Sequence, residues 1–206
     1  MSGEADLILR AAAGDREAFD ALIAPRWERL HRIAGRITGD WDEARDVAQQ
    51  VALRLWQTLS RFRPGEDLDG WIYRMTVNLA IDALRKRQAR REDLLAEVPD
   101  AIAPRPAGPG RGPLERVLAH ELEAALEDCT RSLSPRQKAV FVLARVEGLE
   151  PSEIARMMDL APSTVRNHLF QARSAVARHL RAHYPELCSS WNPPESEPGP
   201  GEGMSS

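Results

Sequence analysis

Cysteine is nearly absent from this chain, which holds only Cys129 and Cys188 among its 206 residues. The two form no CxxC pair and adjoin no cluster of metal ligands, so neither a disulfide framework nor a zinc-binding module is indicated. A regulatory disulfide between them remains an alternative. Packed or idle thiols are the simpler interpretation.

Long apolar runs are absent as well. No segment approaches the ~18 consecutive apolar residues of a membrane span. The first ten residues lack the basic start and the apolar stretch of a signal peptide. We therefore expect no membrane insertion and a cytoplasmic location.

A net positive charge is also missing, because the formal charge is −3. Basic residues are instead concentrated in two stretches. Residues 71–91 hold six basic residues and one acid, and residues 162–183 hold four arginines and no acid. Two basic stripes on an acidic body predict DNA binding that is weak alone and needs a large partner.

Signals for β-strands are lacking, since neither β-branched alternation nor an Asn-Gly or Asp-Gly hairpin signal between alternating apolar residues appears. Apolar residues recur at helical spacing, which predicts an all-α fold. Asp40 and Ser134 stand where helix caps are expected. The predicted helices are 5–13, 16–37, 41–60, 70–91, 114–131, 135–146, 151–158 and 162–183.

Proline divides the chain. It is missing from 65–98 and crowds 99–113, a composition that cannot bury enough apolar surface to order itself. This predicts two helical domains, 4–97 and 114–184, joined by a flexible Pro/Gly-rich linker at 98–113. Residues 185–206 are predicted to form a disordered acidic tail.

The helix predicted at 70–91 carries a polar row at spacings of four, four and three, formed by Arg74, Asn78, Asp82 and Arg85. Trp71 and Tyr73 begin the helix, after a loop at 61–70. An amide for base edges, arginines for phosphates and aromatics for stacking suit opened DNA. The alternative is a solvated face with an Asp82–Lys86 ion pair.

The helix before it has two distinct faces. The apolar stripe predicted to be buried is Ala44, Val47, Ala48, Val51, Leu55 and Leu59. The other face is acidic and polar with apolar residues beside it, which favours a partner surface. Its members are Asp42, Glu43, Asp46, Gln49, Gln50, Leu53 and Trp56. Alternatively, Leu53 and Trp56 complete the core.

Residues 151–173 follow the pattern of a helix-turn-helix. Ala155 permits close approach of the second helix, Val165 anchors that helix, and Asp159 tolerates the left-handed turn. The residues predicted to face DNA are Ser163, Thr164, Arg166, Asn167, Phe170, Gln171 and Arg173. Arginine can pair with guanine and Asn or Gln with adenine. An ordinary helical hairpin is the alternative.

Taken together, residues 5–181 resemble bacterial sigma factors of the extracytoplasmic-function (ECF) group. Segment 43–56 is similar to the helix that binds the β′ clamp helices of RNA polymerase. Segment 71–87 resembles the helix that recognises and melts the minus-ten element, and 164–173 resembles the recognition helix for the minus-thirty-five element. The resemblance implies core polymerase (β′ clamp helices and β flap), promoter DNA and an anti-sigma factor as partners.

The resemblance also implies roles for individual residues. The acidic and polar face of 42–56 would bind core polymerase, and the residues named in 163–173 would bind the minus-thirty-five element. The minus-ten set is Arg61, Phe62, Arg63, Trp71, Arg74, Asn78, Asp82, Arg85 and Lys86. No catalytic residue, metal or cofactor is expected.

Some positions depart from the family pattern. Arg45 and Gln50 stand where an acid is common, and Ala52 stands where Phe is common, which weakens the expected docking on polymerase. Asn167 and Gln171 replace the commoner Ser and Arg. The minus-thirty-five sequence should therefore be atypical.

Two other classes of protein fit the sequence less well. A two-component-type regulator would need a receiver or sensor domain, and none is visible. An enzyme would need a motif such as HExxH, GxSxG or a phosphate-binding glycine loop, and none occurs. His179 and His183 lie one turn apart and could form a metal pair, but a solvated helix end explains them more simply.

Overall fold

The computed structural model describes residues 2–63, 67–94, 127–183 and 185, and all regular structure within them is helical. The all-α prediction is therefore confirmed. The helices are α1 (Ser2–Ala12), α2 (Arg16–Thr38), α3 (Trp41–Thr58), a 3₁₀ turn (Leu59–Arg61), α4 (Leu68–Leu94), α5 (Pro135–Arg145), α6 (Pro151–Met158) and α7 (Pro162–His183). No helix of the described residues is long and apolar enough to cross a membrane.

Side-chain caps set the beginning of the helices. The Asp40 carboxylate accepts the backbone N–H groups of Asp42 and Glu43, which confirms the predicted start of α3. Asp67 accepts the N–H of Gly70 at 2.9 Å, so α4 begins two residues before the predicted position. Ser134 and Gln137 form the predicted capping box of α5.

The first module comprises α1 to α4, and its core lies among these four helices. All six residues of the predicted apolar stripe of α3 are buried. Helix α4 buries Ile72, Leu79 and Leu84, while Met75 and Ala83 are partly buried. It also buries Tyr73, Val77, Ala80 and Ile81. Helix α4 packs on α2 and α3 and also on α5 and α6 of the second module, so most of its surface is covered.

The second module contains the predicted helix-turn-helix, formed by α6, a turn and α7. Asp159 ends α6 with φ of 53°, in the left-handed region. Ile154 and Val165 are fully buried, and Ala155 is 4% exposed. These residues hold α7 against α6 and leave its opposite face in solvent.

The two modules pack directly on each other, a contact that the sequence did not predict. Glu147, just after α5, lies 2.5 Å from Nη1 of Arg36 and 3.4 Å from Nη2 of Arg32, both on α2. The Glu147 side chain is only 5% exposed. The predicted linker at 98–113 and the tail after residue 185 lie outside the described residues.

A second contact joins the end of α2 to the second module. Gly39 caps α2 with φ of 69°, where a side chain is strained. The Glu127 carboxylate, which pairs with the buried Lys138, lies where a Cβ of residue 39 would be. A side chain at this position would displace the carboxylate from a lysine that is 2% exposed.

Glu147→Gln should loosen the packing of the two modules, because it removes a buried negative charge shared by Arg32 and Arg36. We expect a loss of about 1–3 kcal/mol in the unfolding free energy and a larger radius of gyration in solution scattering. Asp20→Asn, at an exposed position of α2, is the control. The charge swap Glu147→Arg with Arg36→Glu should be more stable than Glu147→Arg alone, because it restores one of the two ion pairs. A radius of gyration unchanged in Glu147→Gln would contradict this role.

Candidate functional site

The polar row of α4 is open to solvent. Arg74, Asn78, Asp82 and Arg85 are all exposed, on a helix whose other faces are mostly buried. Asp82 pairs with Arg85 at 3.4 Å, where the solvated-face alternative had paired it with Lys86. Lys86 is exposed beside the row. The row is therefore a continuous polar strip that a nucleic acid can reach.

Aromatic residues flank the start of α4 in two different ways. Trp71 stacks on Phe62, with ring centroids 5.6 Å apart and planes 21° apart, and both are partly buried. Tyr73 is buried, with the Arg29 guanidinium 4.4 Å above its ring. The predicted stacking role of Tyr73 is wrong, because Arg29 and the core cover its ring. Arg61 and Arg63 are exposed.

The predicted partner face of α3 is largely confirmed as surface. Asp42, Asp46, Gln49 and Gln50 are exposed, and Glu43 is partly buried. Leu53 is 57% exposed, so it does not complete the core. Trp56 does so in part, since its ring meets Phe19 edge-on at 5.1 Å. A shallow cleft is lined by Asp46, Gln49, Gln50 and Leu53.

One positioning residue of this surface was missed. Arg87 of α4 donates to the carbonyl of Thr38 at 2.9 Å and lies 3.9 Å from Glu43. It therefore ties α4 to the corner between α2 and α3. Its place in the basic stretch 71–91 had suggested only a contact with DNA.

The exposed face of α7 matches the prediction closely. Ser163, Arg166, Asn167, Gln171 and Arg173 are exposed, and Thr164 is partly buried. Phe170 is 63% exposed, which leaves an apolar ring on a polar face. In a major groove such a ring can contact the methyl group of thymine.

Two further side chains support α7 from within the module, and the sequence had not singled them out for this. Gln137 donates from Nε2 to Oε1 of Gln171 at 2.8 Å. His168 is partly buried, and its Nδ1 has no hydrogen-bond partner among the described residues. Burial lowers the pKa of His168, and the nearby Arg136 lowers it further. His168 therefore favours the neutral form.

The remaining titratable candidates have structural roles. His179 is partly buried and lies 2.8 Å from the Asp128 carboxylate, so of the two histidines only His183 lies on a solvated helix end. No group of three metal ligands occurs in the part of the chain that the structure describes. Cys129 is buried, and burial raises the pKa of its thiol. Cys188 lies outside the described residues.

Two family models match the chain on these surfaces. Sigma-70 region 2 matches residues 26–90, and sigma-70 region 4 matches residues 123–176. The ECF RNA polymerase sigma-E factor of Haemophilus influenzae is 30% identical over 182 residues, covering 85% of this chain and 94% of the relative. The chain belongs to the ECF RNA polymerase sigma factors. It therefore binds core RNA polymerase and directs promoter-specific transcription initiation.

Other comparisons agree with this assignment. The ECF sigma factor SigE of Mycolicibacterium smegmatis is 30% identical over 182 residues, covering 87% of this chain and 69% of the relative. Among solved structures, CnrH in complex with the cytosolic domain of CnrY matches with a TM-score of 0.61 at 22% identity, over 88% of this chain and 99% of that one. RpoE in complex with the anti-sigma factor NepR from Bartonella quintana matches with a TM-score of 0.57 at 21% identity, over 80% and 98%. These structures share the fold.

Acidification should destabilise the second module through His168. The pKa of His168 in the folded protein lies below that of an ordinary imidazole, so the unfolded chain binds the proton more readily. The contribution of neutral His168 to the unfolding free energy is fully present above the unfolded pKa. It is lost as the pH falls through the folded pKa. Thermal melting at pH 7.5 and pH 5.5 should show a smaller drop for His168→Gln than for the wild type. Equal decreases in melting temperature for the two proteins would contradict this role of His168.

Proposed function

We propose that the three exposed surfaces divide the work of initiation. The partner face of α3 docks on core polymerase, the polar row of α4 recognises and opens the minus-ten element, and the exposed face of α7 recognises the minus-thirty-five element. One observation carries the proposal: a helix buried on most faces keeps one unbroken polar row in solvent. The domain boundaries 4–97 and 114–184, with a linker at 98–113, belong to the same proposal.

The chemistry of the α4 row suits opened DNA. Arg74 and Arg85 can contact phosphates, and the Asn78 amide can both donate to and accept from a base edge. The stacked Trp71 and Phe62 lie at the start of the same helix, close to Arg61 and Arg63. An unpaired base finds an aromatic platform and positive charge there.

The partner face of α3 has the make-up of a protein interface. Leu53 is an exposed apolar side chain surrounded by Asp46, Gln49 and Gln50. An apolar anchor with a polar rim is typical of such contacts. The acidic members favour a basic partner surface, since charge complementarity raises the rate of association.

Two further parts of the proposal concern the cell. Both solved neighbours are complexes with a second protein, one of them named as an anti-sigma factor. We infer an anti-sigma factor for this chain as well, and we place the chain in the cytoplasm, where core polymerase acts. We assign it no catalytic activity of its own.

Replacing Gln49 and Leu53 together with alanine should weaken binding to core polymerase, because it removes the apolar anchor and part of its rim. We expect a loss of about 1–3 kcal/mol, roughly five- to more than a hundredfold in Kd. Leu9→Ala is a matched control, since Leu9 is 60% exposed on α1, a helix that contributes no residue to the proposed face. Fluorescence anisotropy titration measures the Kd. Equal affinity of the double variant and the control would move the docking surface elsewhere.

Asn78→Ala and Arg166→Ala should fail in different ways on promoters. Arg166→Ala should lose about 1–3 kcal/mol of discrimination at one minus-thirty-five position if its contact is bidentate to guanine. Asn78→Ala should slow promoter opening or alter minus-ten selectivity. Transcription is measured on a duplex promoter and on the same promoter premelted around the start site. Premelting should rescue Asn78→Ala and leave the altered preference of Arg166→Ala. A similar response of both variants would refute the division of labour.

A further inference from the structure

Gln137 has a fixed orientation because it completes a helix cap. Its Oε1 accepts a hydrogen bond from the backbone N–H of Ser134 at 3.0 Å, and its own backbone N–H donates to Oγ of Ser134 at 3.4 Å. A carboxamide accepts only at oxygen and donates only at nitrogen. With the oxygen held by the backbone of Ser134, the nitrogen of Gln137 must face the other way.

That nitrogen meets the recognition helix. Nε2 of Gln137 donates to Oε1 of Gln171 at 2.8 Å. Gln171 is thereby fixed as the acceptor of the pair, so its own Nε2 is directed away from Gln137. Gln171 is exposed on the face of α7 that also carries Arg166, Asn167 and Phe170. It therefore presents an N–H donor to whatever binds that face.

The orientation has a consequence for base recognition. A glutamine that pairs with adenine uses both ends of its amide, donating to N7 and accepting from the N6 amino group. The oxygen of Gln171 is turned toward Gln137, from which it accepts, whereas its nitrogen is turned away and available. The major-groove edge of guanine carries two acceptors, N7 and O6, and no donor. A donor end thus fits guanine better than adenine.

We propose that Gln137 is a positioning residue that fixes the amide of Gln171, so that Gln171 favours guanine over adenine at one minus-thirty-five base pair. The inference rests on the proposed role of α7 in recognising this element. In this proposal Gln137 acts on base recognition only through Gln171. One hydrogen bond of this kind biases the two amide orientations about fivefold.

The test uses holoenzyme assembled from core polymerase and the full-length chain. A promoter is first selected with the wild-type chain, and each of its minus-thirty-five positions is then changed to each of the four base pairs. The wild type should prefer guanine over adenine at one position where Gln171→Ala loses the preference.

Gln137→Glu keeps the oxygen that caps α5 but cannot donate to Gln171. The amide of Gln171 should then reverse, and the ratio of guanine to adenine should fall about fivefold or invert.

The controls separate orientation from charge and folding. Gln57→Glu makes the same substitution at an exposed position of α3 and should leave the base profile unchanged. Gln137→Glu should melt at the wild-type temperature, because the cap is retained. Gln171→Lys in the Gln137→Glu background should restore the guanine preference, since lysine only donates.

Three results would overturn the inference. If Gln171→Ala changes a base preference that Gln137→Glu leaves intact, the proposed function of α7 stands and the positioning role fails. If Gln171→Ala changes no preference at any position, both the role of Gln171 and the inference fail. If Gln137→Glu weakens all four bases equally, its effect is charge repulsion from DNA, and Gln137 does not orient Gln171.

Discussion

The burial of α4 is the constraint on which the rest of the structure depends. This helix packs on α2 and α3 on one side and on α5 and α6 on another. Val77 and Ala80 are completely buried in its middle. A helix covered in this way cannot rotate about its axis without exposing apolar surface, which costs about 25 cal/mol for each Å². The polar row of Arg74 and Asn78 is therefore held in one direction by the packing behind it.

Polar contacts fix the same helix along its axis and at its ends. Arg87 bonds the carbonyl of Thr38, and Asp69 at the start of α4 bonds Arg26 of α2 at 2.5 Å. The guanidinium of Arg26 is only 14% exposed, so this pair is less screened than an ordinary surface ion pair. The surface proposed to recognise the minus-ten element thus has a rigid support, as sites that recognise a ligand precisely require.

Local patterns made most helices and surfaces predictable. Spacing identified the buried stripe of α3, Asp159 marked the turn before α7, and Ser134 with Gln137 marked a capping box. What could not be predicted depends on contacts distant in sequence. The sequence predicted that Tyr73 is available for stacking, whereas in the fold Arg29 and the core cover its ring. The contact of Glu147 with Arg36 joins residues 111 apart, and no local periodicity reports such a pairing.

The separation of Arg36 and Glu147 along the chain also determines the order in which the two modules are synthesised. The contacts of α2 with α3 and α4 lie within the first 94 residues, and such nearby contacts form quickly. Glu147 and the helices beside it leave the ribosome later, when Arg32 and Arg36 already stand on a formed helix. An N-terminal domain generally folds first during synthesis. The second module therefore packs on a first module that has already folded. Arg32 and Arg36 remain without Glu147 until the ribosome has synthesised the residues between them.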